Sequence, residues 1–302
     1  MSEVFNLLLL QNTLRTATPV VLCALGCLLT DQVGIMNIGV DGMMLMGAFF
    51  AVLGSYLFGS WAMGLLFATV LGALLGLFYY VFSIKFKSDE FIIGVALNIL
   101  AGGLTVFLLR TLFGVKGSFS GPGIVPLPTL RLPWLEDVPV LGALLSGNTL
   151  LVYVSWLLVG GIWILLYKTP LGFHLRASGE APEALRAAGR SPEKMKRLAS
   201  VLCGVLASLS GAHLSLGYLT MFSENMSASR GYVAVACVIF GGGNPPRVFM
   251  AALLFGFIDA LGLRLQRYIP SDLTSMAPYV VTVVMMVAVV LLRGQKKKRL
   301  ET

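Results

Sequence analysis

Apolar runs, most of them about as long as a bilayer crossing, follow one another through the chain and leave few folds open to it. A membrane-spanning helix needs about 20 mostly apolar residues, because inside hydrocarbon every backbone N–H and C=O must be paired within the protein. Runs of this kind occupy residues 14–29, 35–58, 61–84, 91–113, 149–167, 198–219, 248–263 and 273–292, with a shorter one at 231–243. The chain is 57% hydrophobic and 12% charged, with a mean hydropathy of +0.87; soluble domains carry about 25% charged residues. The pattern predicts an all-α integral membrane protein: one transmembrane domain over residues 1–302, with about nine helices (eight to ten). Neither a soluble domain nor an internal repeat is evident.

Three stretches qualify that count. Residues 231–243 are short and end in Gly241-Gly242-Gly243-Asn244-Pro245-Pro246, so they can also be read as re-entrant. Residues 4–10 are too short to span and read as a short interfacial or packed helix; their flank lacks the basic region of a signal peptide. Residues 114–147 hold Pro122, Pro126, Pro128, Pro133 and Pro139 and read as a structured loop.

The formal charge is +8. The cations sit in loops beside apolar runs, which fits lipid headgroups and an orientation signal rather than a nucleic acid polymer. The longest basic stretch is 168–197, with Lys168, Arg176, Arg186, Arg190, Lys194, Lys196 and Arg197 against Glu180, Glu183 and Glu193. Placing it inside also puts Lys85, Lys87, Arg247 and the tail 293–302 inside, which accounts for most of the 22 Lys and Arg residues. The expectation is therefore a cytoplasmic C-terminus, a cytoplasmic loop at 168–197, an extracytoplasmic loop at 114–147 and an outward-facing loop at 224–232.

The 168–197 stretch carries its own helix signals. Pro182 suits a first helical position, Glu183 the first turn and Gly189 a left-handed end. They predict a small helix over 181–188. Ser191, Pro192 and Glu193 start another. Two turns of helix are marginal alone in water, so the small helix docks on something; the plainer reading is a basic loop obeying the positive-inside bias.

The run Gly-Glu-Ala-Pro-Glu-Ala-Leu-Arg-Ala-Ala-Gly at 179–189 resembles the coupling loop of ABC-importer permeases of the branched-chain amino acid, simple sugar and nucleoside permease family. Residues 33–50, VGIMNIGVDGMMLMGAFF, are similar to the Asn-Ile-Gly-x-acid-Gly-Met-Met signature of its nucleoside-type members. The acid there is usually Glu and here is Asp41, which puts in question any role that needs reach. The FGGGNP run at 240–245 also matches, and the resemblance covers about residues 13–292.

The resemblance implies a multi-pass permease subunit in a bacterial cytoplasmic membrane. It forms half of a pathway with a second, different permease. An extracytoplasmic solute-binding lipoprotein delivers the solute, and ATP with Mg²⁺ is bound by a partner ATP-binding subunit. Glu180, Ala181, Pro182, Glu183, Ala184, Leu185, Ala187, Ala188 and Gly189 would dock on that subunit. Nucleosides are the implied solute, with simple sugars or branched-chain amino acids as the alternative. The chain itself has no G-x-x-x-x-G-K-[ST] run and no catalytic grouping, so ATP hydrolysis is expected on another polypeptide. An ion-coupled secondary transporter is the competing class; such proteins show intramembrane charges or paired discontinuous helices in matching halves, and here the charges are few.

Polar residues within apolar runs are the pathway or gate candidates: Asn37, Asp41 and Asn98, with Glu224 and Asn225 from the outer loop. Asp41 reads either as a satisfied acid at a helix break or as part of a gate. His213 reads as hydrogen-bonded packing before a proton relay. Glu224 and Arg230 would either meet a binding protein or be solvated. Asp259, Arg264, Arg267 and Arg110 are the other charges in or near spans. Met43, Met44 and Met46 suit soft packing better than Cu(I). Cys23, Cys27, Cys203 and Cys237 show neither disulfide nor zinc spacing.

Overall fold

A computed structural model describes residues 7–130, 146–266 and 280–281. The long helices are α1 (Leu7–Gln32), α2 (Val40–Phe58), α3 (Trp61–Tyr80), α4 (Glu90–Phe113) and α5 (Leu150–Lys168). After α5 come α6 (Pro170–Glu180) and α7 (Pro182–Ala187), then α8 (Pro192–Ala212), α9 (Arg230–Gly241) and α10 (Pro245–Leu265). Wider π-helical turns prolong α3 over Val81–Lys85 and α8 over His213–Tyr218. Among the described residues, seven helices are long and apolar enough to cross a membrane: α1 to α5, α8 and α10, with α3 and α8 counted through their π-helical turns. The chain is a multi-pass, helical membrane protein. Among the described residues, two small antiparallel pairings accompany the helices: β1 (Ser118–Phe119) with β4 (Phe222–Ser223), and β2 (Thr129–Leu130) with β3 (Asn148–Thr149). All of the run at 273–292 except residues 280–281, the basic tail, Arg267, Pro133 and Pro139 lie outside the described residues.

The first span differs from expectation. Residues 7–10 do not form a separate short helix; they are the first turns of α1, which runs unbroken through Pro19. Proline has no N–H for the Arg15 carbonyl four residues back. His213, on the wide turn after α8, places Nε2 3.3 Å from that carbonyl, and Ser210 donates to the Pro19 carbonyl at 2.6 Å. With its proton on Nε2, His213 leaves Nδ1 to accept from Thr149 Oγ1 at 3.4 Å. Neighbouring helices thus complete the backbone that proline leaves open, as a membrane interior demands. The packing reading of His213 is the one the geometry supports.

Helix α8 lies at the centre, against α1, α2 and α3. Apolar burial gives little drive between helices in lipid, so close backbone approach through small residues takes its place. A Cβ on Gly204 of α8 would fall 2.1 Å from the Gly72 carbonyl oxygen of α3, and one on Gly76 would fall 2.2 Å from that of Ser200. By contrast, the outer faces of α3, α4 and α5 expose Leu74, Ile99, Phe107 and Leu157, side chains suited to lipid. On these contacts, Gly204→Ala should destabilise the detergent-solubilised protein by about 1–3 kcal/mol through overpacking. Gly160→Ala, whose Cβ meets nothing within 4 Å, should not. Thermal unfolding measures both, and equal midpoints for the two variants would refute the close-packed core.

Candidate functional site

The chain between α1 and α2 is not helical, and polar side chains close it. Asn37 is buried; its Oδ1 accepts from the Gly39 N–H at 3.0 Å, and its Nδ2 lies 3.5 Å from Cys203 Sγ. Asn98 reaches across from α4. Its Oδ1 accepts from the Gly42 N–H at 2.7 Å, and its Nδ2 donates to the Ile38 carbonyl at 3.1 Å and to the Tyr232 hydroxyl at 2.8 Å. From below, Glu90 accepts from the Met36 N–H at 3.0 Å, and Tyr79 donates to the Met36 carbonyl at 3.1 Å.

Asp41, in the first turn of α2, faces the start of α9. One carboxylate oxygen accepts from the Gly231 N–H and the other from the Ser227 hydroxyl, both at 3.0 Å. An acid at a helix N-terminus satisfies an orphan donor and suits the helix dipole. The fit is tight: a Cβ on Gly231 would lie 2.5 Å from Asp41 Cα. Asp41 is therefore a satisfied acid at a helix break, and the helix it satisfies is α9.

Of the five polar candidates, Asn37, Asp41 and Asn98 come together here, and Glu224 and Asn225 do not. Glu224 accepts from the Gly117 N–H at 3.1 Å, donates its own N–H to the Gly117 carbonyl at 2.8 Å and lies 3.9 Å from Arg110. It ties the end of α4 to the 222–225 segment. Asn225 is exposed, with φ 56°, and its carbonyl accepts from the Ala228 N–H.

The loop at 224–232 is folded in on the helices rather than extended into solvent. Positive φ angles at Asn225, Ala228 and Ser229 fold it tightly, Met226 and Ser227 are buried, and the segment turns in to meet Asp41. Arg230 does not stay in solvent either, since it pairs with Asp259 of α10 at 2.9 Å. Sequence reasoning named both charges without joining them. The available signal was that an acid within an apolar run needs a partner.

The second assembly is the hairpin of α6 and α7. Thr169 caps α6, accepting from the Gly172 N–H at 3.2 Å. The sequence reading did not foresee α6, although Thr169-Pro170 repeats the start signal of Ser191-Pro192. Helix α7 runs over Pro182–Ala187, inside the expected 181–188, with Ala181 at its N-cap. Gly189, at φ 74°, ends it: its N–H donates to the Arg186 carbonyl and the Arg190 N–H to that of Leu185. This is the paired closure expected of a glycine just past a helix end. Ser191 then caps α8, accepting from the Lys194 N–H at 3.3 Å.

Arg186 bridges Glu193 and Glu183, and the hydrogen bond to Glu193, with the charge of Glu183, holds its guanidinium above its ordinary pKa. Leu185 is buried, while Glu180, Glu183, Ala184, Ala187 and Ala188 are exposed. Phe173, Ala177, Ala181, Ala184 and Ala188 line a groove of about 450 Å³ between the two helices.

The hairpin is seated on the end of α1. A Cβ on Gly179 would lie 2.5 Å from the Gln32 carbonyl oxygen at the end of α1. Gln32 in turn donates to the Gly243 carbonyl, just past α9, at 3.3 Å. One run of contacts therefore joins α6, the end of α1 and the end of α9, while the start of α9 is held by Asp41.

Residues 9–290 match the family model described as branched-chain amino acid transport system / permease component. The chain belongs to this permease family. Among curated relatives, it is 32% identical to the guanosine ABC transporter permease protein NupQ of Bacillus subtilis, over 91% of this chain and 90% of the relative. It is 30% identical to the nucleoside ABC transporter permease protein NupC of Lactococcus lactis, over 92% and 91%. A putative glucose ABC transporter permease protein of Haloferax volcanii, TsgC13, is 34% identical over 85% of this chain and 78% of its own length. Two further permeases, NupP of B. subtilis and NupB of L. lactis, match at 27% and 26%. No solved structure matches.

In this permease, Asp41→Ala should leave the Gly231 N–H and the Ser227 hydroxyl without their acceptor. Losing such a cap costs on the order of 1 kcal/mol, so amide exchange at Gly231 and Tyr232 should rise several-fold by mass spectrometry. Asp41→Asn, which keeps an acceptor oxygen, should exchange more nearly as the parent does. Unchanged exchange in the alanine variant would count against the cap.

Proposed function

We propose that this chain is one of two permease subunits of a bacterial ATP-driven importer, and that its solute is a nucleoside. The observation that carries the reading is the α6–α7 hairpin, whose small exposed residues Ala184 and Ala188 stand out from a seat on the end of α1, which Gln32 joins to the end of α9. In this reading Glu180, Ala181, Pro182, Glu183, Ala184, Leu185, Ala187, Ala188 and Gly189 form the cytoplasmic coupling element against a separate ATP-binding subunit, which holds ATP and Mg²⁺. Closure of the ATPase pair pulls on α7, and the motion passes as a rigid-body shift to the broken helices.

The nucleoside assignment is supported by the names of NupQ and NupC, at 32% and 30% identity. TsgC13 favours a sugar as the second reading. The paired names NupQ with NupP, and NupC with NupB, support a second and different permease alongside this one. A binding lipoprotein would deliver the solute at the outer face. Nine crossings follow if α9 completes one together with 219–229 and residues 273–292 supply the last. In this reading the chain lies in the cytoplasmic membrane with its C-terminus inside, in line with the placement of most of its 22 basic residues.

Two outcomes check this reading. In the assembled transporter, Ala184→Glu and Ala188→Glu should keep expression and ATP hydrolysis but lose most uptake of labelled guanosine, since neither side chain is buried. Parental uptake would remove the coupling role. Asn225→Cys should label from outside intact cells with an impermeant maleimide, and Arg190→Cys only after lysis; the opposite pattern would invert the topology.

A further inference from the structure

The α6–α7 hairpin encloses a space that its own side chains leave unfilled. Its volume is about 450 Å³, within the range of about 300–1,000 Å³ usual for binding sites. Ala177, Ala181, Ala184 and Ala188 put only methyl groups into it. Phe173, which also lines it, is 62% exposed. All of its lining residues lie between the span that ends at Lys168 and the one that begins at Pro192. Lipid tails therefore do not account for this apolar surface.

The rim is charged, and its charges do not balance. Arg176 and Arg190 line the cavity against one acid, Glu180. Arg186, which does not line it, is already engaged by Glu183 and Glu193. Among the described residues, neither Arg176 nor Arg190 has a carboxylate within salt-bridge reach. The Nε of Arg176 is buried and has no acceptor. A buried donor left open is costly and uncommon. The Arg176 guanidinium lies over the ring of Tyr167, at 5.0 Å. The Tyr167 hydroxyl in turn meets the Gly243 carbonyl, just past α9, at 3.5 Å.

We propose that this cavity is a socket for the ATP-binding subunit, and that its occupant is one large apolar side chain of that subunit with an aspartate or glutamate beside it. The apolar group fills the space that the alanines leave, and its burial supplies the driving force. The carboxylate meets Arg190 and Arg176 and takes the open donor of Arg176. An occupant here touches α6 and α7 at once, so it grips the hairpin as a unit rather than α7 alone. Contacts continue from Arg176 through Tyr167 to the end of α9, a contiguous route for a displacement. The identity of the partner rests on the coupling reading; the chemistry of the occupant rests on the cavity and its rim.

Photocrosslinking in the assembled transporter tests it. A small diazirine side chain in place of Ala188 should join the ATP-binding subunit on illumination. Mass spectrometry of the joined peptide should find a large apolar residue next to an Asp or Glu. The same group in place of Ala187, about 100° round the helix and outside the cavity, should join it several-fold less. No capture, capture only of lipid or of the second permease, or a captured peptide that lacks either residue type would overturn the proposal. A second measurement is the amount of ATP-binding subunit that the detergent-solubilised permease retains. Ala188→Trp, which fills the cavity, should lower it several-fold at matched expression, and Ala187→Trp should not. Arg190→Glu should lower it as well, and Arg190→Lys should keep it near the parental level. Equal retention in the two Trp variants would remove the socket. Capture at Ala188 with parental uptake in Ala184→Glu would keep the socket and sink the coupling reading; loss of uptake in Ala184→Glu without capture at Ala188 would do the reverse.

Discussion

An interrupted helix inside a bilayer must find partners for its freed backbone groups, and the interior of this permease is arranged around that demand. Two interruptions meet: the extended chain before α2 and the start of α9. Each supplies what the other lacks, because Asp41 belongs to one and the Gly231 N–H to the other. Asn37, Asn98, Glu90 and Tyr79 close further groups of the first interruption. The same rule governs α1, where Pro19 leaves a carbonyl that His213 lies against. Water would satisfy such groups in a soluble protein; here protein side chains, most of them from other helices, take its place.

These polar ties also decide which parts can move together. Backbones in contact through Gly72, Gly76 and Gly204 slide only at the cost of overlap, so α3 and α8 behave as one packed block. The start of α9 is held differently, by two hydrogen bonds to one carboxylate and one ion pair. Hydrogen bonds can be exchanged for others where steric contacts cannot. A displacement of α6 reaches the end of α1 through Gly179 and the end of α9 through Gln32. The exchangeable bonds thus lie at the far end of the half-helix from the seat of the hairpin. This is physical contiguity between two elements, the minimum that a mechanical link needs.

Much of this was legible in the sequence, for local reasons. The spans follow from run length, and the ends of α7 and the start of α8 follow from Pro182, Gly189, Ser191 and Pro192, whose effects act within one turn. Asn37, Asp41 and Asn98 stood out as polar residues in apolar runs. What the sequence hid was the choice of distant partners. The continuity of α1 through Pro19 depends on residues far along the chain, and so do the pairing of Arg230 with Asp259 and the hold of Glu224 on Gly117. Helix α6 is a different case: Thr169-Pro170 announced it, but the polar, basic character of the stretch drew attention to its charge and away from its start signal.

The identity of the acid at 41 shows how one side-chain length sets a helix position. Aspartate holds its carboxylate one methylene nearer the backbone than glutamate, the usual acid in the signature this segment resembles. To cap α9 from there, the α9 backbone must come almost into contact with α2. Gly231 permits that approach, since any Cβ at this position would fall 2.5 Å from Asp41 Cα. The two residues therefore act as a unit: a longer acid would push the half-helix outward, and a larger residue at 231 would lift it off the carboxylate. Outward displacement would also carry Arg230 and Tyr232, the neighbours of Gly231, away from Asp259 and Asn98. The spacing of α2 and α9 at this point thus sets the positions of Arg230 and Tyr232.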